Sequence, residues 1–213
     1  MKEINGDAID LFLNTKQSTF LHGCNCLKTM GAGIAKQVKK QLPDLFHTDM
    51  LDERRSSQRL GSYSYAHIDT SVGKGLGVNL YTQYDKGANF DINALTNSLR
   101  ALRRSRLMLP NIYLPKIGSG IGGGSWNEIK KVIEKELKNY NTIVVNYQPY
   151  KTYSIEKMED GHTPNDLIYI GGTIFIVDNV AYKVPTKEEA AQYRGNWDVW
   201  EEMKNTLFKK TRL

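Results

Sequence analysis

A chain of 213 residues, 40% of them hydrophobic, can bury an ordinary core, and its length fits one domain with an appendage or two small domains. No stretch reaches the roughly 20 apolar residues of a membrane span, the opening MKEINGDAIDLF is no signal peptide, and the only cysteines, Cys24 and Cys26, are too close for a disulfide framework or a zinc knuckle. The net charge of +6 is uneven: residues 151–213 hold nine Lys/Arg against ten Asp/Glu, so the first 150 carry +7, a balance that favours anionic ligands or nucleic acid. These features set the expectation of a cytoplasmic protein with reduced thiols, no membrane segment, no metal centre and no cofactor.

Met1–Ile4 reads as an opening strand, and Asn5-Gly6-Asp7 as a turn that caps a brief helix over Ala8–Leu13. Ser18–Asn25 is β-rich and largely apolar, the pattern of a buried strand. It leads through Cys26–Thr29 and Met30-Gly31-Ala32-Gly33 into a helix from Ile34 to about Leu42, stopped by Pro43. Asp44–Arg55 reads as a further helix and Ser56–Leu60 as a polar stretch. Ser62–Ile68 and Leu76–Thr82 alternate like strands, and Gly73-Lys74-Gly75 between them predicts an antiparallel hairpin. After a loop at Tyr84–Phe90, Asp91 caps a helix running to about Leu107. Asn111–Pro115 is a strand, Trp126–Asn139 a helix, and Thr142–Tyr147 a β-branched closing strand.

Strands alternating with helices argue an α/β sandwich with a mostly parallel or mixed sheet. The pattern changes after Pro149. Lys151–Asp166 is polar, about 167–184 holds two or three strands, and Thr186 with Glu189 forms a capping box for a helix over about 187–210. Residues 1–149 and 150–213 are therefore expected to be a domain and its extension.

Two segments share one design. Each places a glycine turn between a strand and a helix: Met30–Gly33, and Gly118-Ser119-Gly120-Ile121-Gly122-Gly123 ahead of Ser125. A strand, a glycine turn and a helix N-terminus make an anion cradle, because backbone N–H groups are open and the helix dipole is positive there. In a parallel sheet both turns open at the same edge, which suits one pyrophosphate between them. A P-loop is excluded, since neither turn ends in Lys-Ser/Thr. A dinucleotide fingerprint matches at Gly118, Gly120 and Gly123, but Thr142–Tyr147 lacks the acidic residue expected about 20 positions on.

Asn5-Gly6-Asp7, then Asn25-x4-Met30-Gly31-Ala32-Gly33-Ile34-Ala35, then Pro115-x-Ile117-Gly118-Ser119-Gly120-Ile121, in this order and spacing, resemble the macrodomain family. The resemblance covers residues 1–149 and is nearest the branch of phage macrodomains, the yeast-type ADP-ribose-1''-phosphate phosphatase, and the DarG and terminal ADP-ribose hydrolases. It implies a three-layer α/β/α macrodomain sandwich with a mixed sheet, plus a small C-terminal β-and-helix extension, and ADP-ribose or a derivative as ligand. A phage origin would make the host cytoplasm its compartment.

The resemblance also assigns roles. Asp7, with Ala8 beside it, falls where the family accepts a hydrogen bond from the adenine amino group; the plain alternative is a helix cap. Asn25 falls on the distal ribose, whose diol suits an amide. Met30, Gly31, Ala32, Gly33 and Ile34 form the first diphosphate loop, and Ser119, Gly120, Ile121, Gly122 and Gly123, following Gly118, form the second. Tyr147 stands where an aromatic packs on adenine, or else is an ordinary core residue.

For catalysis, DarG-type hydrolases carry a lysine in a pattern like Asn-x-x-Thr-Lys, and here Asn79-Leu80-Tyr81-Thr82-Gln83 ends in glutamine. The acid of terminal hydrolases is replaced by Gly122 or Gly123. Lys86 substitutes only if its loop folds inward. Hydrolysis of ADP-ribose-1''-phosphate asks less of the protein, with Asn25 positioning the ester and His22 as acid or base, against a structural role for that histidine. Cys24 reads as packing. Arg100, Arg103, Arg104 and Arg106 form either a solvated helix face or a weakly supported RNA contact.

Overall fold

The computed structural model describes residues 1–147 with their side chains and, beyond them, the backbone of 151–152, 167–171, 174–177 and 180–183. β1 (Lys2–Gly6) passes through Asp7 into α1 (Ala8–Leu13), and β2 (Ser18–Asn25) follows. Next come α2 (Gly33–Gln41), α3 (Pro43–Leu51) and the single turn α4 (Ser56–Arg59). The hairpin β3 (Tyr63–Thr70) and β4 (Gly73–Gln83) leads to α5 (Ile92–Ser105), β5 (Asn111–Leu114), α6 (Trp126–Glu136) and β6 (Asn141–Tyr147).

In space the strands lie in the order β3-β4-β2-β5-β6-β1. Within it β4, β2, β5, β6 and β1 are parallel and β3 is antiparallel at the side of β4. Parallel strands are buried on both faces, which explains the near-continuous apolar runs. Along β2, Phe20 enters one cluster with Ile9, Phe12, Val38 and Leu45 of α1, α2 and α3. Its neighbour Leu21 enters the opposite cluster, with Leu95, Leu99 and Leu102 of α5 and Ile129 and Ile133 of α6. This is the three-layer α/β/α sandwich with a mixed sheet.

Some elements differ from their sequence reading. Thr70 pairs with Gly73, so Ser71 and Val72 make the turn and Gly73-Lys74-Gly75 belongs to β4. Pro43 both ends α2 and opens α3, because a residue without an N–H fits the first helical turn. α3 stops at Leu51, and part of the polar stretch after it forms α4. α6 stops at Glu136 rather than Asn139. The Asp91 cap is present, its Oδ1 accepting the N–H groups of Asn93 at 2.7 Å and Ala94 at 3.1 Å.

The arginine cluster divides. Arg100 Nε donates to Oε1 of buried Glu136 at 3.0 Å, and Arg103 Nη1 lies 3.2 Å from Oε2, so both tie α5 to α6. Arg104 and Arg106 stay exposed.

The boundary expected near residue 149 lies outside the described residues, which resume at β7 (Lys151–Thr152). β8 (Leu167–Gly171), β9 (Ile174–Val177) and β10 (Val180–Lys183) continue the same sheet. β10 lies parallel to β1 with Val180 opposite Asn5, β9 and β8 follow antiparallel, and β7 pairs with β10. The helix expected over about 187–210 lies outside the described residues. Among the described residues no helix is long and apolar enough to cross a membrane.

Candidate functional site

Five parallel strands end at one edge of the sheet, and the expected ligand residues sit on those ends. Across the edge stand Gln83 at the end of β4, Asn25 at the end of β2, the glycine loop after β5, Tyr147 at the end of β6 and Asp7 after β1. From β2 to β1 is three strand spacings, about 14 Å. The chain leaves β2 for α2 on one face and leaves β5 for α6 on the other. The crevice between β2 and β5 is therefore the point where connections switch faces, the general ligand position of such sheets.

The first loop begins with Asn25. Its Oδ1 accepts from Leu27 N–H at 3.0 Å and Thr29 N–H at 3.3 Å, and its Nδ2 donates to the Thr29 hydroxyl at 2.7 Å. The amide folds the loop around itself. The pairing of β2 with β4 breaks at the same place: Cys24 stands opposite Tyr81 and Asn25 opposite Gln83, leaving Thr82 as the extra residue of a bulge. Bulges of this kind re-aim side chains beside functional sites. Met30 buries its side chain in the core, so only its backbone faces a ligand. Gly31, Ala32 and Gly33 are exposed, and a Cβ on Gly31 would touch nothing within 4 Å. Lys36 N–H makes the first helical bond of α2, to Ala32 at 3.2 Å. The N–H groups before it make no hydrogen bond among the described residues, as at any uncapped helix start.

The second loop is shaped by an aromatic ring. Gly118 has φ +75°, and a Cβ there would lie 2.2 Å from the Phe90 ring. Only glycine serves both conditions. Gly124 N–H donates to the Gly118 carbonyl at 2.8 Å, Gly123 N–H to Gly120 at 3.1 Å, and Phe90 N–H to Gly122 at 3.1 Å. The Ser119 hydroxyl donates to the Lys116 carbonyl at 3.1 Å. Gly120 and Ile121 are exposed, their N–H groups make no hydrogen bond within the described residues, and a Cβ on Gly120 would meet open space.

At the other end, Gly6 pairs with Tyr147, so Asp7 and Tyr147 are neighbours. Asp7 caps α1, its Oδ1 accepting from Ile9 N–H at 2.9 Å and Asp10 N–H at 3.2 Å. Ala8 is buried behind it. Tyr147 is 71% exposed, which excludes the core alternative for this ring.

The expected catalytic groups fare differently. His22 is fully buried in the middle of β2, stacked on Phe20, with Nε2 2.6 Å from Asn79 Oδ1. Burial pushes its pKa down to about 4, so the ring is neutral near pH 7. The structure corrects the acid–base reading in favour of a structural histidine, since a ring sealed in the core reaches no ligand. Burial likewise raises the Cys24 thiol, and pushes Cys26 up to about 11, which leaves both as packing residues. Gln83 donates to the Gly87 carbonyl at 2.7 Å, and Lys86 is exposed.

Sequence reasoning missed a polar cluster beneath the first loop. Arg59, 1% exposed, pairs with buried Asp49, donates Nη1 to the Cys26 carbonyl at 2.7 Å and lies over the Tyr81 ring at 4.3 Å. Tyr81 Oη donates to Asp49 at 2.9 Å and touches Ser64 Oγ at 2.9 Å. Ser64 accepts from Asn79, the partner of His22. Asp52, beside Arg54 and Arg59, is held down to about 2, chiefly by its hydrogen bond from Arg54. One signal was available: Leu42, Leu45 and Asp49 share a helical face, and an acid on an apolar face demands a buried cation.

No family model matches the chain. It is 37% identical over 153 residues to an uncharacterised 17.5 kDa protein from the tk-vs intergenic region of Enterobacteria phage T4, a match covering 70% of this chain and 97% of the relative. The macrodomain of Thermus aquaticus DarG superposes with a TM-score of 0.53 at 22% identity, covering 70% of this chain and 97% of that one. That of Mycobacterium tuberculosis DarG gives 0.53 at 20%, with 67% and 96% covered. The chain therefore belongs to one family with the phage T4 protein, and its strand order and these superpositions show that it has the macrodomain fold.

Proposed function

We propose that this protein binds ADP-ribose or a close derivative across the carboxyl edge of its sheet. The observation that carries the reading is the pair of glycine loops flanking the β2–β5 crevice, each with exposed glycine backbone and open N–H groups. Between them they suit a diphosphate. Asp7 and Tyr147 flank one end, suiting a purine with an amino group and a flat face, and Asn25 marks the sugar end. The span of about 14 Å matches an extended nucleoside diphosphate sugar.

Calorimetry with ADP-ribose tests this reading, and no detectable binding overturns it. Gly31→Ala and Gly120→Ala make the test specific. Neither glycine has a positive φ, and neither added Cβ meets protein. Both variants are expected to melt like the parent and to lose about tenfold or more in affinity, because the methyl intrudes where phosphate lies.

A second reading is hydrolysis of ADP-ribose-1''-phosphate to ADP-ribose and phosphate. The glutamine at position 83 favours it over release of ADP-ribose from protein or nucleic acid, since an amide is neither nucleophile nor base. In this reading Asn25 positions the ester and the open N–H groups stabilise developing charge. Phosphate release abolished by Asn25→Ala supports it. ADP-ribose released from a modified macromolecule supports the hydrolase alternative, and silence in both assays leaves a binding module.

A further inference from the structure

We propose that Arg59 is the positioning residue that sets the sugar end of the site, an inference resting on the ADP-ribose reading above. The bulge at Thr82 shifts the β2–β4 register so that Asn25 stands opposite Gln83, and the ladder ends at that pair, so pairing alone does not define where the following loop points. What replaces the ladder is visible at the next residue. Cys26 N–H donates to the Gln83 carbonyl at 2.9 Å, and the Cys26 carbonyl accepts Arg59 Nη1 at 2.7 Å. The peptide groups on both sides of Cys26 are thus anchored, one by β4 and one by a side chain from α4.

The guanidinium is itself held from several sides. Its Nη2 meets Asp49, its Nε lies 3.3 Å from the Asp52 carboxylate, and its plane covers Tyr81. A planar fork holds spread donors in fixed directions toward a carbonyl and two carboxylates, whereas an ammonium gathers its donors at one point. Arg59 therefore transmits the geometry of a rigid buried cluster to the turn that Asn25 closes. It is buried beneath the loop and contacts the turn from the protein side.

The test compares two probes. ADP reaches the nucleobase end and both phosphate loops but lacks the distal ribose, whereas ADP-ribose needs the Asn25 turn as well. In the full chain, Arg59→Lys is expected to weaken ADP-ribose about tenfold while leaving ADP within about twofold of the parent. A purely structural arginine would weaken both probes together or neither, and either pattern overturns the inference. Should Arg59→Lys fail to fold, Asp49→Asn decides. It keeps an acceptor for the guanidinium but removes the charge, and it is expected to cost about threefold on ADP-ribose alone. Equal losses on both probes, or none, overturn the inference there too. A parent chain that binds neither probe fails the functional reading instead.

Discussion

The two glycine loops reach the same sheet edge and are held there by opposite means. The loop after β2 rests on charge and hydrogen bonds at its start: Asn25 folds the turn to Thr29 from within, and a buried chain from His22 through Asn79, Ser64, Tyr81, Asp49 and Arg59 supports that turn at Cys26 from below. The loop after β5 rests on shape, with Phe90 against Gly118 and Gly124 and short backbone bonds closing the turn. A polar support depends on every member being paired and on protonation state, whereas a steric support depends on missing methyl groups. One loop should therefore respond to charge and pH, and the other to added carbon.

The largest expected break is Arg59→Met. It leaves Asp49 as a buried carboxylate without its cation, at a cost of about 3–5 kcal/mol in denaturant melts. A loss below about 1 kcal/mol would mean the first loop does not depend on its ionic support.

The pH dependence comes next. His22 has its pKa depressed in the folded chain to about 4, against an ordinary 6.5. The unfolded chain therefore takes up a proton first as pH falls. Its contribution to stability is whole above about pH 6.5 and declines to a loss of about 3 kcal/mol by pH 4, below which it is flat. Melts of the parent and His22→Gln at pH 7 and pH 4 isolate this component, and the difference between them should shrink toward low pH.

Gly118→Ala probes the other support. The methyl meets Phe90 and the positive φ opposes it, so a loss of about 2–3 kcal/mol is expected, independent of pH between 4 and 7. A pH-dependent loss would erase the contrast between the loops.

A smaller effect belongs to Asp52, held down to about 2 by Arg54. Its contribution of about 2 kcal/mol is present above the unfolded value of 3.8 and is lost as pH falls through about 2. Asp52→Asn should remove that acid-range slope. Least of all, Gly31→Ala and Gly120→Ala are expected to shift stability by less than about 0.5 kcal/mol while lowering ADP-ribose affinity. That separation marks space kept for a ligand rather than for packing.

Much of this organisation is carried by short-range signals. The bounds of α1 and β2, the Asp91 cap, both glycine loops and the order of strands and helices follow from periodicity and capping within a few residues. The same signals misplaced the β3–β4 turn, because glycines within β4 look like turn residues until pairing sets the register. The candidate site was legible as a set of positions, including Asp7, Asn25 and Tyr147 on three different strand ends.

What the sequence by itself determined is the alternation of elements and the places where backbone donors are left open. Only the tertiary structure decided what each side chain became: His22 sealed in the core, Tyr147 left outside it, Arg100 and Arg103 tied to Glu136, and Arg59 locked beneath the loop of Asn25. The physical reason is range. Helices, turns and caps are settled by neighbours in the chain, while burial and the pairing of charges join residues such as Arg59 and Cys26, 33 positions apart, and exist only once the layers close.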